Sequence, residues 1–151
     1  MPKEMILILD SDRYIAWTLK TLLENEGFIA VAVDTIDRAL KNFSEFEISG
    51  FITEYRIGQD STLKAIQSLK DKVPETYVMV VTMEELKEGE YEEIMLAGVD
   101  DCFLKPLSTN KILLHLRKGM NYRSIALSKN HLEKEMVKTA VKPYEPSVMK
   151  L

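Results

Sequence analysis

The sequence predicts an α/β fold in which a five-stranded parallel sheet carries helices on both faces, a doubly wound arrangement. Five short apolar runs alternate with amphipathic segments along the chain, and strands joined by such crossovers lie parallel in one sheet. The apolar runs are continuous rather than alternating, which is typical of strands buried on both faces. A length of 151 residues fits one domain with an appendage.

The five apolar runs are the predicted strands, and polar or turn residues bound each of them. The first, MILIL, is flanked by acidic residues, and the fourth, YVMVVT, is the longest of the later runs. The predicted strands are Met5–Leu9, Phe28–Val33, Gly50–Thr53, Tyr77–Thr82 and Cys102–Leu104.

Turn and capping residues delimit the predicted helices. Gly27 and Gly98 are expected to end the first and the fourth helix, because glycine adopts a left-handed helix cap at little cost. Asp34 or Thr35 is expected to cap the second helix and Ser61 the third.

The C-terminal third differs in charge from the rest of the chain. Residues 1–105 carry 11 Lys and Arg against 21 Asp and Glu, a balance of −10, whereas residues 106–151 carry 9 against 3, a balance of +6. The fifth helix starts near Ser108, and its apolar residues keep close to a heptad spacing. These apolar residues are Leu113, Leu116, Met120 and Leu127.

This pattern predicts a domain at 1–120, a helical extension at 121–140 and a disordered tail at 141–151. The extension is interpreted as a dimerising or signal-transmitting helix, as a frayed end, or as the start of a connection to an output domain. We expect the chain itself to carry no output domain.

Composition excludes several classes of function. One cysteine allows no internal disulfide and fits a reducing compartment. No apolar run approaches the roughly 20 residues of a membrane span, so we expect a cytoplasmic protein without membrane contact. The roughly thirty residues after 120 are too few for a helix-turn-helix core, and no specific nucleic-acid site is expected.

Polar side chains follow four of the five predicted strands. In open parallel sheets, ligands and reactive groups collect beyond the carboxyl ends of the strands, so these side chains are expected to converge. They are Asp10, Ser11 and Asp12 after the first strand, Glu54 after the third, Thr82 at the end of the fourth and Lys105 after the fifth.

Four segments, in this order, resemble the receiver domain of two-component response regulators over about residues 4–120. They are ILILDSD, FITEYRIGQDS, VMVVT and AGVDDCFLKP. The resemblance implies the flavodoxin-like strand order 2-1-3-4-5 and a Mg²⁺-dependent aspartyl phosphorylation. It also implies that Thr82 and Lys105 are the switch and phosphate-binding residues and that the peptide bond before Pro106 is a candidate for the cis form.

The chain departs from the receiver pattern at the reacting positions. Glu54 stands at the phosphoacceptor position, where its extra methylene adds roughly 1.5 Å of reach, and phosphoryl transfer tolerates a misplacement of about 1 Å poorly. Ser11 stands where the family has its second acid. Asp10 and Glu54, with Asp12 nearby, are left for a Mg²⁺ site that is expected to be weak or absent. Cys102 occupies the position of the family's switch aromatic residue.

Three interpretations of Glu54 stay open at this point. Its carboxylate, extended toward Lys105 and Thr82, imitates the phosphorylated state; it forms an ion pair with Lys105 that has no signalling consequence; or the domain is phosphorylated in an unusual way. The first two predict a domain with no phosphoryl group on Glu54.

The resemblance implies a signalling module and no enzyme. We predict a pseudo-receiver that acts by protein–protein interaction, with no cofactor except a doubtful Mg²⁺; the alternative is a working phosphoacceptor with an atypical Mg²⁺ site. The expected partners are a histidine kinase, another regulator, or a second copy in a homodimer, through the fourth helix, fifth strand and fifth helix. A flavodoxin-like enzyme is disfavoured, because LDSDRY rather than a glycine-rich phosphate loop follows the first strand.

Overall fold

The computed structural model describes residues 3–106 and 108–139 and contains the predicted parallel sheet with helices on both faces. The strands are β1 (Met5–Leu9), β2 (Ile29–Val33), β3 (Gly50–Glu54), β4 (Arg56–Ile57), β5 (Asp60–Ser61), β6 (Tyr77–Thr82) and β7 (Asp101–Leu104). The helices are α1 (Arg13–Asn25), α2 (Ile36–Glu45), α3 (Leu63–Lys72), α4 (Glu90–Leu96) and α5 (Thr109–Thr139).

The main sheet has the order β2-β1-β3-β6-β7, which is the predicted order 2-1-3-4-5 once the small β4–β5 hairpin is set aside. All neighbouring strands of this sheet are parallel. In the register, Glu54 lies beside Val81, and Thr82 lies beside Leu104. The carboxyl ends of β1, β3, β6 and β7 therefore meet at one edge of the sheet, as the sequence predicts.

Each face of the sheet carries its own apolar core. One core joins alternate residues of β1, β3 and β6 to α2, α3 and α4. Phe51 is fully buried in it, and the ring of Phe43 in α2 packs edge-on against the Phe51 ring, with 5.0 Å between the ring centres. The other core joins the remaining strand residues to α1 and α5, with Leu23 and Leu116 fully buried. This division follows from the period-2 alternation of side chains along each strand.

Local signals set most helix ends, and one prediction is wrong. Gly27 and Gly98 have left-handed backbones after α1 and α4, and Thr35 caps α2 by accepting a hydrogen bond from the Arg38 N–H. The N-cap of α3 is Thr62, not Ser61. Ser61 belongs instead to β5, where its hydroxyl accepts a hydrogen bond from the Leu63 N–H. The two-residue strands of the hairpin are too short to leave an apolar period in the sequence.

Helix α5 has 31 residues, a length of about 46 Å. Beyond Met120 it stays in contact with the amino-terminal edge of the sheet. Arg123 pairs with Glu47 at 3.0 Å, and Asn130 donates a hydrogen bond to Glu75 at 3.0 Å. The predicted tail at 141–151 lies outside the described residues, and the division at residue 120 stays a prediction. Within the described ranges, no helix combines the length and the apolarity that crossing a bilayer would require.

Gly119 lets α5 approach the sheet closely. A Cβ at this position would lie 2.4–2.8 Å from three ring carbons of Tyr77. Tyr77 itself is buried and donates a hydrogen bond to Asp101 at 2.5 Å, so its ring cannot move without breaking that contact. We expect Gly119→Ala to lower the free energy of unfolding by about 1–3 kcal/mol, despite the better helix propensity of alanine.

Urea unfolding measures this effect, with Ser124→Ala on the exposed side of α5 as the control. The control is expected to change stability by less than about 0.5 kcal/mol. A Gly119→Ala variant as stable as the wild type would show that α5 does not pack against Tyr77 as described.

Candidate functional site

The carboxyl edge of the sheet brings Asp10, Glu54 and Lys105 together. Lys105 Nζ lies 2.8 Å from Asp10 Oδ2 and 3.4 Å from Glu54 Oε1. All three side chains are largely buried: Lys105 is 11% exposed, Asp10 7% and Glu54 14%. Each follows or ends a different strand, which is why residues separated by up to 95 positions in the chain form one cluster. We call these three residues the charge cluster.

Ser11 completes the surroundings of Glu54. Its backbone N–H and its hydroxyl donate to Glu54 Oε1 at 3.3 and 3.2 Å, and the hydroxyl also lies 3.3 Å from Oε2. Glu54 is therefore held from two sides, by Ser11 after β1 and by Lys105 after β7. A serine at this position donates to the carboxylate, whereas a second acid would repel it.

The two carboxylates of the charge cluster titrate in opposite directions. Burial by itself would raise the pKa of Asp10, but hydrogen bonds with Glu54, Lys105 and the Asp12 N–H outweigh it and hold that pKa below its ordinary value. Burial, reinforced by the neighbouring Asp10, raises the pKa of Glu54 above its ordinary value. With one ammonium for two carboxylates, Asp10 stays ionised and Glu54 is the group that takes up a proton first.

Thr82 lies at the same edge, but its hydroxyl is engaged elsewhere. It accepts a hydrogen bond from the Glu84 N–H at 3.3 Å and lies 3.2 Å from the Glu84 carbonyl oxygen, to which it donates. Among the contacts of the described residues, none joins this hydroxyl to Glu54 or Lys105. Glu54 and Thr82 line the same cavity, and the predicted imitation of a phosphoryl group by Glu54 stays a prediction.

Two further predicted positions are Cys102, which lies in β7, and Pro106, which follows Lys105. Cys102 is half-buried and packs against the core under α2, α3 and α4, and burial raises the pKa of its thiol. That environment fits an apolar packing role for Cys102 rather than a reactive thiol. The Lys105–Pro106 peptide bond is cis, as the resemblance implies.

Asp12 lies outside the cluster. Its carboxylate caps α1 by accepting hydrogen bonds from the Tyr14 and Ile15 N–H groups at 2.9 and 3.2 Å. Helix capping thus accounts for an acid that the sequence suggests as a metal-site residue.

The remaining donors fit Mg²⁺ poorly. Within the ranges 3–106 and 108–139, no three His, Cys, Asp or Glu side chains lie close enough together to hold a metal ion. Mg²⁺ requires nearly octahedral oxygen ligands, and here the Lys105 ammonium lies against both available carboxylates, Asp10 and Glu54. A cation would have to displace that ammonium or compete with it.

One further contact near the site escapes sequence reasoning. Arg56, in β4, pairs with Glu90 at the start of α4 at 2.9 Å, and its guanidinium lies 4.6 Å from the centre of the Tyr55 ring. The pair ties the loop after β3 to α4. The only signal in the sequence is one arginine beside the site and many glutamates between residues 84 and 93.

Comparison with known proteins decides the family. The model of the response regulator receiver domain matches residues 6–117. The chain belongs to the response regulator receiver domain family. Receiver domains are the signalling modules of two-component systems, so the predicted class of the protein is confirmed.

Curated relatives are similar to this chain at low identity. The alginate biosynthesis transcriptional regulatory protein AlgB of Pseudomonas syringae pv. tomato is 25% identical over 148 residues, which cover 95% of this chain and 32% of that protein. The chain thus spans about a third of the length of this curated relative.

Solved receiver structures share the fold. A CheY-like receiver domain protein from Methanospirillum hungatei JF-1 superposes with a TM-score of 0.78 at 18% identity, covering 83% of this chain and 99% of that one. The beryllofluoride-activated NtrC4 receiver domain dimer gives a TM-score of 0.72 at 20% identity, and the match covers 79% of this chain and 98% of that one. At these identities the likeness concerns the fold alone.

Proposed function

We propose that this receiver is a pseudo-receiver, which signals by protein–protein contact in the cytoplasm without carrying a phosphoryl group on Glu54. The observation that supports the proposal most strongly is the charge cluster. The Lys105 ammonium, which would bind an incoming phosphoryl group, already contacts Asp10 and Glu54. Glu54 is in turn bound by Ser11, so its carboxylate is compensated without metal or phosphate.

The same contacts favour a resident ion pair over an imitation of the phosphorylated state. A phosphoryl group at this edge would bind the threonine hydroxyl as well as the lysine. Glu54 binds Lys105 but not Thr82, whose hydroxyl contacts Glu84. We propose that the pair fixes one arrangement of the strand ends and that this arrangement is constitutive.

A working but atypical phosphoacceptor remains the second candidate. Asp10, Thr82 and Lys105 are retained, and a cavity of about 230 Å³ opens beside Glu54 and Thr82. Transfer to Glu54 would require the carboxylate to leave Ser11 and Lys105 and a Mg²⁺ ion to bind with few protein ligands.

Mg²⁺ binding separates the two candidates. We expect calorimetric titration of the wild type with Mg²⁺ to give no saturable binding at millimolar concentration, because two lysine-bound carboxylates are a poor ligand set. Ser11→Asp adds a third carboxylate at the metal-binding edge and is expected to bind Mg²⁺. Ser11→Asn, which adds similar volume without charge, is the control. Millimolar or tighter Mg²⁺ binding by the wild type would favour the atypical phosphoacceptor.

We propose α4, β7 and α5 as the contact surface for a histidine kinase, another regulator or a second copy. This surface exposes large apolar side chains: Tyr91 and Leu96 on α4, Leu104 on β7 and Leu114 on α5. Farther along α5, four apolar side chains form a narrow stripe at spacings of three, seven and four residues. We call Tyr122, Ile125, Leu132 and Met136 the α5 stripe; they are 57–62% exposed.

The α5 stripe fits a second copy of the same helix. Its spacing is that of the a and d positions of a heptad, and Lys129 takes the remaining core position, where a polar residue specifies register at a cost in stability. We therefore propose a weak homodimer held by the α5 stripe.

Oligomeric state tests this proposal. In sedimentation equilibrium, the wild type is expected to associate to dimers with rising concentration, whereas Ile125→Glu/Leu132→Glu is expected to stay monomeric, because two buried carboxylates per helix oppose packing. Ser124→Glu/His131→Glu introduces the same residues at exposed positions of α5 outside the stripe and is expected to associate like the wild type. A monomeric wild type at all concentrations would contradict the dimer.

A further inference from the structure

A second cavity lies on the other side of the charge cluster, between α1, the start of α5 and the sheet. Its volume is about 390 Å³, within the range of roughly 300–1,000 Å³ that is usual for small-molecule sites. Most of its walls are aliphatic. They are formed by Ile15, Leu19 and Leu22 of α1, Ile52 of β3, Val81 of β6 and Ile112 of α5.

The charge cluster supplies the polar part of this cavity. Asp10, Glu54 and Lys105 all line it, so two carboxylates and one ammonium face an otherwise apolar space. Tyr14 and Met83 also line it and are 75% and 70% exposed, which marks the opening to solvent. Apolar walls, a few convergent polar groups and exposed apolar side chains at the opening are the usual features of a ligand site.

We propose that this cavity binds a small amphipathic cation, with an aliphatic or aromatic body between α1 and α5 and a protonated nitrogen against the carboxylates of Asp10 and Glu54. The cluster has one more negative than positive charge when both carboxylates are ionised. Lys105 already contacts both of them, so it has little capacity left for an anionic ligand. The cluster therefore attracts the ammonium group of a ligand and repels a carboxylate.

The inference rests on the proposed function and deepens it. A domain whose strand-end edge holds a resident ion pair has no phosphoryl input, and a ligand that touches α1, α5 and Glu54 at once provides another input. The ligand would compete with Lys105 for the carboxylates and so change the contacts that join β7 to β1 and β3.

Binding of three matched probes to the full chain tests the inference. 4-Phenylbutylamine, 4-phenylbutanol and 4-phenylbutyrate share one apolar body and differ in the charge of the head group. Titrations followed by ¹H–¹⁵N correlation spectra give both the affinity and the location of each probe. We expect the amine to bind about tenfold or more tightly than the acid, with the alcohol between them, and the shifted signals to cluster on α1, β3 and the start of α5.

Two substitutions separate the apolar and the charged parts of the site. Thr18 is an exposed residue of α1 that lines the cavity. Thr18→Trp is expected to fill the cavity and to lower the affinity for all three probes about tenfold. Thr21→Trp makes the same change three residues farther along α1, at a position that does not line the cavity, and is expected to bind the probes like the wild type. Glu54→Gln keeps the shape of the side chain and is expected to lower the affinity for the amine alone.

The outcomes are distinguishable from a failure of the proposed function. Equal binding of amine and acid, no binding of the amine at millimolar concentration, or amine binding that Thr18→Trp leaves unchanged would each overturn the ligand site. These titrations are made without Mg²⁺ or a phosphoryl donor. Phosphorylation of Glu54, measured separately by mass, would overturn the pseudo-receiver and leave the probe-binding result as it stands.

Discussion

Replacing Lys105 with methionine is expected to lower the free energy of unfolding by about 3–5 kcal/mol at neutral pH. Methionine keeps much of the apolar stem but removes the ammonium that lies 2.8 Å from Asp10 and 3.4 Å from Glu54. Two largely buried carboxylates would then face each other without a counter-charge. Removing one partner of a buried ionic group is more costly than the intact group is stabilising.

Two comparisons identify the cause of this loss. The loss should be much smaller in a Glu54→Gln background, because only Asp10 then remains charged. It should also shrink as the pH falls. Burial and Asp10 already raise the pKa of Glu54, and removing the ammonium raises it further, so the native state takes up a proton that the unfolded chain lacks at the same pH. Because the pKa of Glu54 is higher in the folded than in the unfolded chain, the free energy of unfolding falls as the pH rises above about 4.5 and Glu54 of the native state loses its proton.

Urea unfolding at neutral and mildly acidic pH measures both effects. Lys64→Met, on the exposed side of α3, is the control, and it is expected to change the free energy of unfolding by less than about 0.5 kcal/mol. If Lys105→Met were no more destabilising than this control, the cluster would not be the buried ionic site described above.

Phosphorylation by a small phosphoryl donor is expected to appear only when two residues are changed together. Ser11→Asp supplies the third carboxylate for Mg²⁺, and Glu54→Asp withdraws the carboxylate by roughly 1.5 Å to the length of an aspartate. The double variant has Asp10 and two new aspartates beside Lys105 and Thr82. We expect it to form an acyl phosphate with acetyl phosphate and Mg²⁺.

The single variants assign the two parts of the effect. Ser11→Asp is expected to bind Mg²⁺ without gaining a phosphoryl group, because the glutamate is too long for the transfer geometry. Glu54→Asp is expected to gain little or none, because the metal-binding edge still has a serine. The phosphorylation of all three variants is measured as the gain in intact mass with and without Mg²⁺. Equal phosphorylation of Glu54→Asp and the double variant would show that Ser11 plays no part.

Much of the fold follows from the sequence because the strands of the main sheet are continuous apolar runs bounded by polar or turn residues. Met5–Leu9 and Tyr77–Thr82 are predicted to the residue, and the strand order follows from the resemblance. The hairpin Arg56–Ser61 could not be predicted, since strands of two residues carry no periodic signal. The cap of α3 is displaced by one residue for the same reason.

The site could be predicted as a set of positions but not as a set of contacts. Parallel strands bring Asp10, Glu54 and Lys105 to one edge whatever their side chains do. Which carboxylate the lysine approaches more closely depends on rotamers and burial, and Asp10 is the nearer one. The link from Ser11 to Glu54 also depends on the exact position of a loop backbone, and spacing in the sequence contains no information about it.

The intact mass of the wild type after incubation with acetyl phosphate and Mg²⁺, beside Ser11→Asp/Glu54→Asp, decides whether Glu54 is a phosphoacceptor. We expect the wild type to keep its mass while the double variant gains one phosphoryl group. A phosphoryl group on the wild type, mapped to Glu54, would contradict the pseudo-receiver, because the carboxylate held by Ser11 and Lys105 would then be a phosphoacceptor.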